Sequence, residues 1–302
     1  MSDIEQGIII DNSVITQRNT INTIGKYAMY IRDRFFNFNT TTYLMGILNV
    51  TPDSFADGGM YDSVDKAVGH AIEMADEGAD IIDVGGESTR PGAQALDADI
   101  EEKRVIPVIR AIRKVSDIPI SIDTYHASVA KAAIDAGADI INDVSALSDP
   151  DMADVIIDAK CPCILMHNSR LICDDHNNNT EYAIKVMREM SDIAQRAEMA
   201  GISSEGIILD PGIGFGKNTE ENLILMASLN ALNEIGYPLM LGCSRKRFIA
   251  EICGEDEQSR IYGTMTTTML AKEAGVGIVR VHDVAANAVV LRLLNSVNNK
   301  LS

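Results

Sequence analysis

Short apolar runs in this chain repeatedly end on side chains that can hold a charge, a proton or a hydrogen bond. The first run closes on Asn49 and opens into Thr51-Pro52-Asp53-Ser54-Phe55-Ala56-Asp57-Gly58-Gly59. The second leads to Gly85-Gly86-Glu87-Ser88-Thr89-Arg90-Pro91-Gly92, the third to Asp123-Thr124, the fourth to Asn142-Asp143 and the fifth to His167-Asn168. The sixth gives Asp210-Pro211-Gly212, the seventh Ser244-Arg245-Lys246 and the eighth Arg280-Val281-His282-Asp283. A single Asp in such a place is ordinarily a helix cap or a turn former. A polar group at every one of the equivalent positions is better explained by a shared site. Its cations, Arg245, Lys246, Arg280 and His282, suit phosphate or carboxylate oxygens, and Ser244 is expected to begin a helix at 245. Asp123, Asn142 and Asp210 suit a flat, nitrogen-rich ring that carries amino, amide and ring N–H groups. One end of the site therefore reads as anion-binding and the other as heterocycle-binding.

The elements that must bring these groups together are legible from hydrophobic period. The apolar runs are Tyr43–Val50, Asp80–Val84, Ile118–Ile122, Asp139–Ile141, Cys161–Met166, Gly206–Leu209, Tyr237–Gly242 and Val276–Val281. Each is followed by apolar residues at helical spacing, over 64–77, 99–115, 127–136, 150–159, 181–200, 219–235, 245–273 (two pieces) and 285–297. Gly78, Gly137, Gly201, Gly236 and Gly275 stand where helix C-terminal caps belong. Strands that are apolar throughout, each followed by a helix, call for a parallel sheet covered by helices. Eight such units predict an α/β fold of the (β/α)8 TIM-barrel type, in which the C-terminal strand ends share one rim. An open doubly wound sheet fits less well, because no dinucleotide-type glycine fingerprint follows the first strand. Residues 1–40 hold two apolar runs among Asn, Thr and Arg with a basic, aromatic patch at 32–38; they read as an N-terminal extension, and 41–302 as the barrel.

Composition removes whole classes of function. The chain has 302 residues, 46% of them hydrophobic, which is enough for a large core. Its formal charge of −18 repels nucleic-acid backbones and anionic lipid, so neither is an expected partner. Nothing resembles a secretory signal, and no run approaches the roughly 20 residues that span a bilayer. The five cysteines are an odd number and read as free thiols of a reducing compartment, so a cytoplasmic protein is expected.

The motifs themselves resemble those of the dihydropteroate synthases. Met45-Gly46-Ile47-Leu48-Asn49-Val50-Thr51-Pro52-Asp53-Ser54-Phe55, with Asp57-Gly58-Gly59 behind it, is similar to the first signature of that family. Asp80-Ile81-Ile82-Asp83-Val84-Gly85-Gly86-Glu87-Ser88-Thr89-Arg90-Pro91-Gly92-Ala93 is similar to the second. Ser121–Thr124, Ile141–Val144, Leu209–Lys217, Ser244–Lys246 and Arg280–Val284 follow in the family's order, so the likeness runs from about 43 to 290. It implies a folate-biosynthetic transferase that condenses 6-hydroxymethyl-7,8-dihydropterin diphosphate with p-aminobenzoate, giving 7,8-dihydropteroate and pyrophosphate. It further implies that Asp123, Asn142, Asp210 and Lys246 hold the pterin, with Val144, Met166 and Phe215 as apolar walls. Asn49 would coordinate Mg²⁺ on the diphosphate, and Arg280 and His282 would bind the diphosphate oxygens. Phe55, Thr89, Pro91, Ser244 and Lys246 would form the p-aminobenzoate pocket, with Asp57 close to the reacting carbon and Asp53 secondarily stabilising the charge that develops there. A homodimer is implied as well. The chain departs from the family after the fifth strand, where His167-Asn168-Ser169-Arg170 leads into an Asn-rich loop over 168–180, and at Ala250, where a glycine is usual.

Other polar clusters have plainer readings. His70 is expected on a helix surface and His126 at a helix start. Cys161, Cys163, His167, Cys173 and His176 suggest zinc, but two of the thiols lie on an expected buried strand and no C-x-x-C knuckle is present, so free thiols are favoured. The acidic run 97–102 is expected to open a helix. Two rival functions share the scaffold: a methyltetrahydrofolate-binding methyltransferase, which has no reason to keep the 88–93 loop or the 244–246 cations, and a non-catalytic pterin-binding protein.

Overall fold

The structure, a computed structural model, describes residues 27–50, 60–86, 96–168 and 179–298. A two-stranded hairpin, β1 (Ala28–Ile31) and β2 (Arg34–Asn37), precedes eight strand–helix units. These are β3 (Tyr43–Asn49) with α1 (Met60–Glu77), β4 (Ile81–Gly85) with α2 (Ala98–Val115), β5 (Ile120–Asp123) with α3 (Ala127–Ala136), and β6 (Ile140–Asp143) with α4 (Met152–Ala159). Then come β7 (Cys163–Met166) with α5 (Asn179–Ala200), β8 (Ile207–Asp210) with α6 (Thr219–Ala227) and α7 (Leu229–Asn233), β9 (Met240–Leu241) with α8 (Arg247–Cys253) and α9 (Glu257–Glu273), and β10 (Ile278–Val281) with α10 (Val284–Asn298). The eight later strands are parallel in the order β8-β7-β6-β5-β4-β3-β10-β9, and a Leu209–Leu239 bridge joins the two ends. The expected barrel is what forms.

Strand alternation explains both the core and the site. Leu44, Leu48, Ile82, Val84, Ile122, Leu165, Leu209, Val279 and Val281 face the helices in one large cluster. Met45, Ile81, Ile140, Ile164, Ile208, Met240 and Ile278 face inward and form a second cluster across the barrel's lower end. Side chains alternate faces with a period of two, so the next inward positions are Ile47, Asp83, Asn142, Met166, Asp210, Gly242 and Arg280. An apolar tier thus lies directly beneath a polar one.

The hairpin closes this lower end. Ile31, Phe36 and Phe38 pack against the apolar tier and are almost fully buried. The Tyr43 ring lies 4.5 Å from that of Phe36, and its hydroxyl accepts a 2.8 Å hydrogen bond from Asn37 N. Arg32, at the hairpin turn, pairs with Asp117 at 2.8 Å. Burying a Phe side chain contributes roughly 1.5–3 kcal/mol. The tract from 27 to 40, which composition sets outside the barrel, therefore supplies its floor.

Local punctuation follows the sequence. Gly78, Gly137, Gly201, Gly236 and Gly275 all adopt positive φ at helix ends. Asp97 caps α2 by accepting from Asp99 N, with acidic residues in the first turn, and Asn218 with Glu221 forms a capping box on α6. Among the described residues no helix is long and apolar enough to cross a membrane.

Candidate active site

The polar tier is organised around Arg280. Its Nε donates to Asp83 Oδ2 at 2.6 Å and an Nη donates to Asp123 Oδ2 at 2.6 Å. Asp83 in turn accepts from Asn142 Nδ2, 3.3 Å from Oδ2. Asp83 has no exposed surface, Asn142 and Asp123 are buried, and the Arg280 side chain keeps 15% of its exposure. Burial pushes the Asp123 carboxyl up; Arg280 opposes the rise and the Asp83 charge adds to it. Burial alone would lower the Arg280 guanidinium, but Asp83 and Asp123 outweigh it and hold the group above its ordinary value. Asn142 Oδ1 is buried and has no hydrogen-bond partner among the described residues.

A second wall comes from β8, its following loop and the end of β9. Asp210 Oδ1 accepts from Gly212 N at 2.7 Å, and burial raises its carboxyl. A Cβ placed on Gly242 would stand 4.0 Å from both Arg280 Cδ and Asp210 Oδ2, so the two charged groups flank that glycine. Lys246 Nζ sits 3.9 Å above the centre of the Phe215 ring, a cation–π contact. Burial pulls the Lys246 ammonium down to about 8, with Asp210 opposing the fall. The close approach requires Gly214, whose φ is +80°: a Cβ there would lie 2.7 Å from Lys246 Cδ. Lys217 ties the same loop from within, donating to Gly212 O at 2.9 Å and lying 3.4 Å from both His167 O and Phe215 O. Burial brings its ammonium down to about 8 as well.

The exits of β9 and β10 are fastened together. Ser244 Oγ accepts from His282 N at 3.1 Å and lies 3.0 Å from His282 Nδ1. Ser244 does not begin the next helix: α8 starts at Arg247 with Lys246 as its N-cap, because Arg245 turns the chain at a φ of +57°. Arg245 is not a rim cation either. Its guanidinium is held by both oxygens of Asp283 and, at 3.3 Å, by Glu257. Asn49 ends β3 opposite Gly85 and is half-buried.

The structure thus gathers Asp123, Asn142, Asp210, Phe215, Ser244, Lys246, Arg280 and His282 around one mouth, with Met166 and Val144 at the ends of the strands beside it. Asp53, Phe55, Asp57, Thr89 and Pro91 lie outside the described residues, as do Cys173 and His176. Sequence reasoning assigned no role to Asp83 or Lys217, though a carboxylate in an apolar strand at an inward position was a usable signal for the first. His167 bonds Glu189 through Nε2 at 2.7 Å, His70 pairs with Glu73 on the surface, and His126 is the N-cap residue of α3. Cys161, Cys163, Cys243 and Cys253 are free, and burial raises the first to about 11 and the second further. Among the described residues no group of three His, Cys, Asp or Glu side chains could hold a metal ion.

Residues 45–282 match the pterin binding enzyme family. The dihydropteroate synthase of Clostridium beijerinckii is 48% identical over 266 residues, covering 86% of this chain and 96% of its own. The structure of Xanthomonas albilineans dihydropteroate synthase with 4-aminobenzoic acid superposes with a TM-score of 0.83 at 41% identity, over 90% of this chain and 98% of that one. The same enzyme in complex with 7,8-dihydropteroate gives 0.80 at 39% identity, with the same coverage. A barrel whose polar tier pairs acceptors for a nitrogen-rich ring with cations for an anion, in a chain related to these proteins over nearly its whole described length, belongs to the dihydropteroate synthase family of pterin-binding enzymes.

Proposed function

We propose that the mouth of this barrel joins 6-hydroxymethyl-7,8-dihydropterin diphosphate to p-aminobenzoate and releases pyrophosphate. The observation that carries this reading is the acceptor set at the polar tier. Asn142 Oδ1 is buried and unpartnered among the described residues, and the Asp123 and Asp210 carboxylates stand on neighbouring walls. An unmet buried acceptor costs about 1–3 kcal/mol, so the site favours a ligand that brings N–H donors. Lys246, Arg280 and His282 supply the complementary positive end.

The chemistry requires little acid–base work. The C–O bond between the pterin methylene and the diphosphate breaks, and its electron pair leaves with pyrophosphate. The arylamine nitrogen of p-aminobenzoate forms the new C–N bond and then loses a proton to solvent or phosphate. An arylamine is already unprotonated near neutral pH, so no strong general base is needed. Arg280, anchored on two carboxylates, presents its remaining N–H groups to the departing oxygens in a fixed orientation. Asp57, by resemblance, would stabilise the charge that develops on the pterin side. Holding the two reactants in line can by itself supply about 7–11 kcal/mol of the barrier.

Asn49 is the proposed Mg²⁺ ligand. One neutral amide oxygen suits a hard cation that keeps several waters and takes the rest of its shell from substrate phosphates. That fits a mouth whose described acids Asp83, Asp123 and Asp210 are engaged with Arg280 and main-chain groups. When bound, the ion would neutralise charge on the leaving diphosphate. Ser244 and Lys246, with Phe55, Thr89 and Pro91, are proposed to receive p-aminobenzoate. The free thiols support a reducing, cytoplasmic setting.

A homodimer is proposed through α10. Val289, Leu293 and Val297 recur every fourth residue on one face and are about half exposed or more. Arg292 is the only charge on that helix, in a chain of net charge −18. A nearly neutral apolar stripe is where two such acidic copies can approach.

Incubation with the pterin diphosphate, p-aminobenzoate and Mg²⁺ tests the reaction. Pyrophosphate and dihydropteroate should appear in equal amounts, and their absence refutes the reading. Methyl transfer from methyltetrahydrofolate would instead support the rival.

A further inference from the structure

We infer that Asp83 is a positioning residue for this site: from the barrel interior it sets which end of the Asn142 amide faces the ligand and how the Arg280 guanidinium is oriented. The inference rests on the proposed pterin reaction for its kinetic consequences, but not for its structural ones.

A carboxylate can only accept hydrogen bonds, whereas a primary amide has one accepting and one donating end. Asn142 Nδ2 lies 3.3 and 3.5 Å from the two Asp83 oxygens. The donating end is therefore turned into the floor, and Oδ1 is left as a buried acceptor with no partner among the described residues. Were Asp83 a neutral amide, it could donate to Oδ1, and the Asn142 amide could turn over to present a donor to the ligand. Asp83 thus decides whether the site reads a donor or an acceptor at this point.

Asp83 also accepts from Arg280 Nε at 2.6 Å, while Asp123 takes an Nη proton on the other side. Two of the five guanidinium N–H donors are committed this way, and the plane of the group is fixed before any anion arrives. Asp83 itself has no exposed surface, so it reaches a ligand only through Asn142 and Arg280. Its position beneath both is set by β4, where Ile81 belongs to the apolar tier and Asp83 is the next inward residue. A purely structural salt bridge would need Arg280 but would have no bearing on Asn142.

The test has an arm without substrate and an arm with it. In the unmodified, ligand-free protein, the Asn142 side-chain amide hydrogens should exchange with solvent at least about 10-fold more slowly than those of an exposed Asn, as read by selective ¹⁵N labelling. Free exchange overturns the inference with no variant needed. In Asp83→Asn, the KM for the pterin diphosphate should rise about 10-fold or more, as expected for loss of a charged hydrogen bond, and the KM for p-aminobenzoate should hardly move. The effects of Asp83→Asn and Asn142→Ala on pterin binding should be markedly less than additive, because one acts through the other. Additive effects, or an unchanged pterin KM, overturn the inference. Should the protein not use a pterin diphosphate at all, the proposed function fails while the amide-exchange result still decides the role of Asp83.

Discussion

Lys246→Met should abolish ligand binding and, at neutral pH, stabilise the fold. The ammonium is almost completely enclosed, and burial brings it down to about 8 from its ordinary value. At about 1.4 kcal/mol per pH unit, that displacement makes the charged form roughly 3 kcal/mol less favourable in the folded than in the unfolded chain. The sign follows from where protons are bound. At pH 7 the lysine is protonated in both states, so the whole penalty is present. As pH rises through 8 the folded protein releases the proton while the unfolded chain keeps it to about 10.4, and the penalty fades across that window. Methionine fills similar space without charge and removes the penalty at pH 7. The attraction of Asp210 and Asp123 is already contained in that displacement, whereas the cation–π contact with Phe215 is lost in addition, so a net gain of about 2 kcal/mol is expected. Thermal unfolding at pH 7 should show a higher midpoint for the variant, with the difference shrinking toward pH 10. Calorimetry with the pterin diphosphate should show wild-type affinity falling about tenfold per pH unit above 8, and Lys246→Arg should remove that fall because arginine stays charged. A lower melting point for Lys246→Met at pH 7, or wild-type affinity that is flat to pH 9.5, would refute the reasoning.

Three further outcomes are expected. Gly214→Ala should cost about 1–2 kcal/mol from its left-handed backbone and displace Lys246, so kcat/KM should fall along with the denaturant midpoint; an unchanged KM for both substrates would show that Lys246 does not depend on that approach. Asn49→Ala should raise the Mg²⁺ concentration needed for half-maximal rate without altering thermal stability, and an unchanged metal titration would remove Asn49 as the ligand. Phe36→Ala should cost about 3–5 kcal/mol in denaturant unfolding through the cavity left under the apolar tier, and a loss below about 1 kcal/mol would show that the hairpin contributes little to the floor.

Period and punctuation make the barrel legible in the sequence. Strand runs such as Tyr43–Val50 and helix ends such as Gly137 were recovered to within a few residues, because alternation and left-handed glycines are local properties. The mouth was legible for the same reason: its residues follow directly on the strands. What the chain did not disclose were pairings across the barrel. Arg245 and Arg280 look equally available in sequence, yet Asp283 claims the first, and Asp83 and Asp123 orient the second toward the site. Ser244 reads as a helix start, but the left-handed turn at Arg245 moves that start to Arg247 and leaves the hydroxyl for His282. Asp83 was hidden inside an apolar run, where only the inward phase shared with Ile81 marks it. The docking of the hairpin beneath the barrel is not legible in sequence, because its apolar residues are few and their burial depends on a surface built by strands much later in the chain.

The aromatic plug beneath the polar tier turns the barrel into a cul-de-sac. With Ile31, Phe36 and Phe38 packed beneath the apolar tier, the described residues close the lower end, and the polar tier is approached from the strand exits. A ring seated on Asn142 and Asp123, as proposed, would lie on the innermost side, so the heterocycle is expected to enter ahead of the amine.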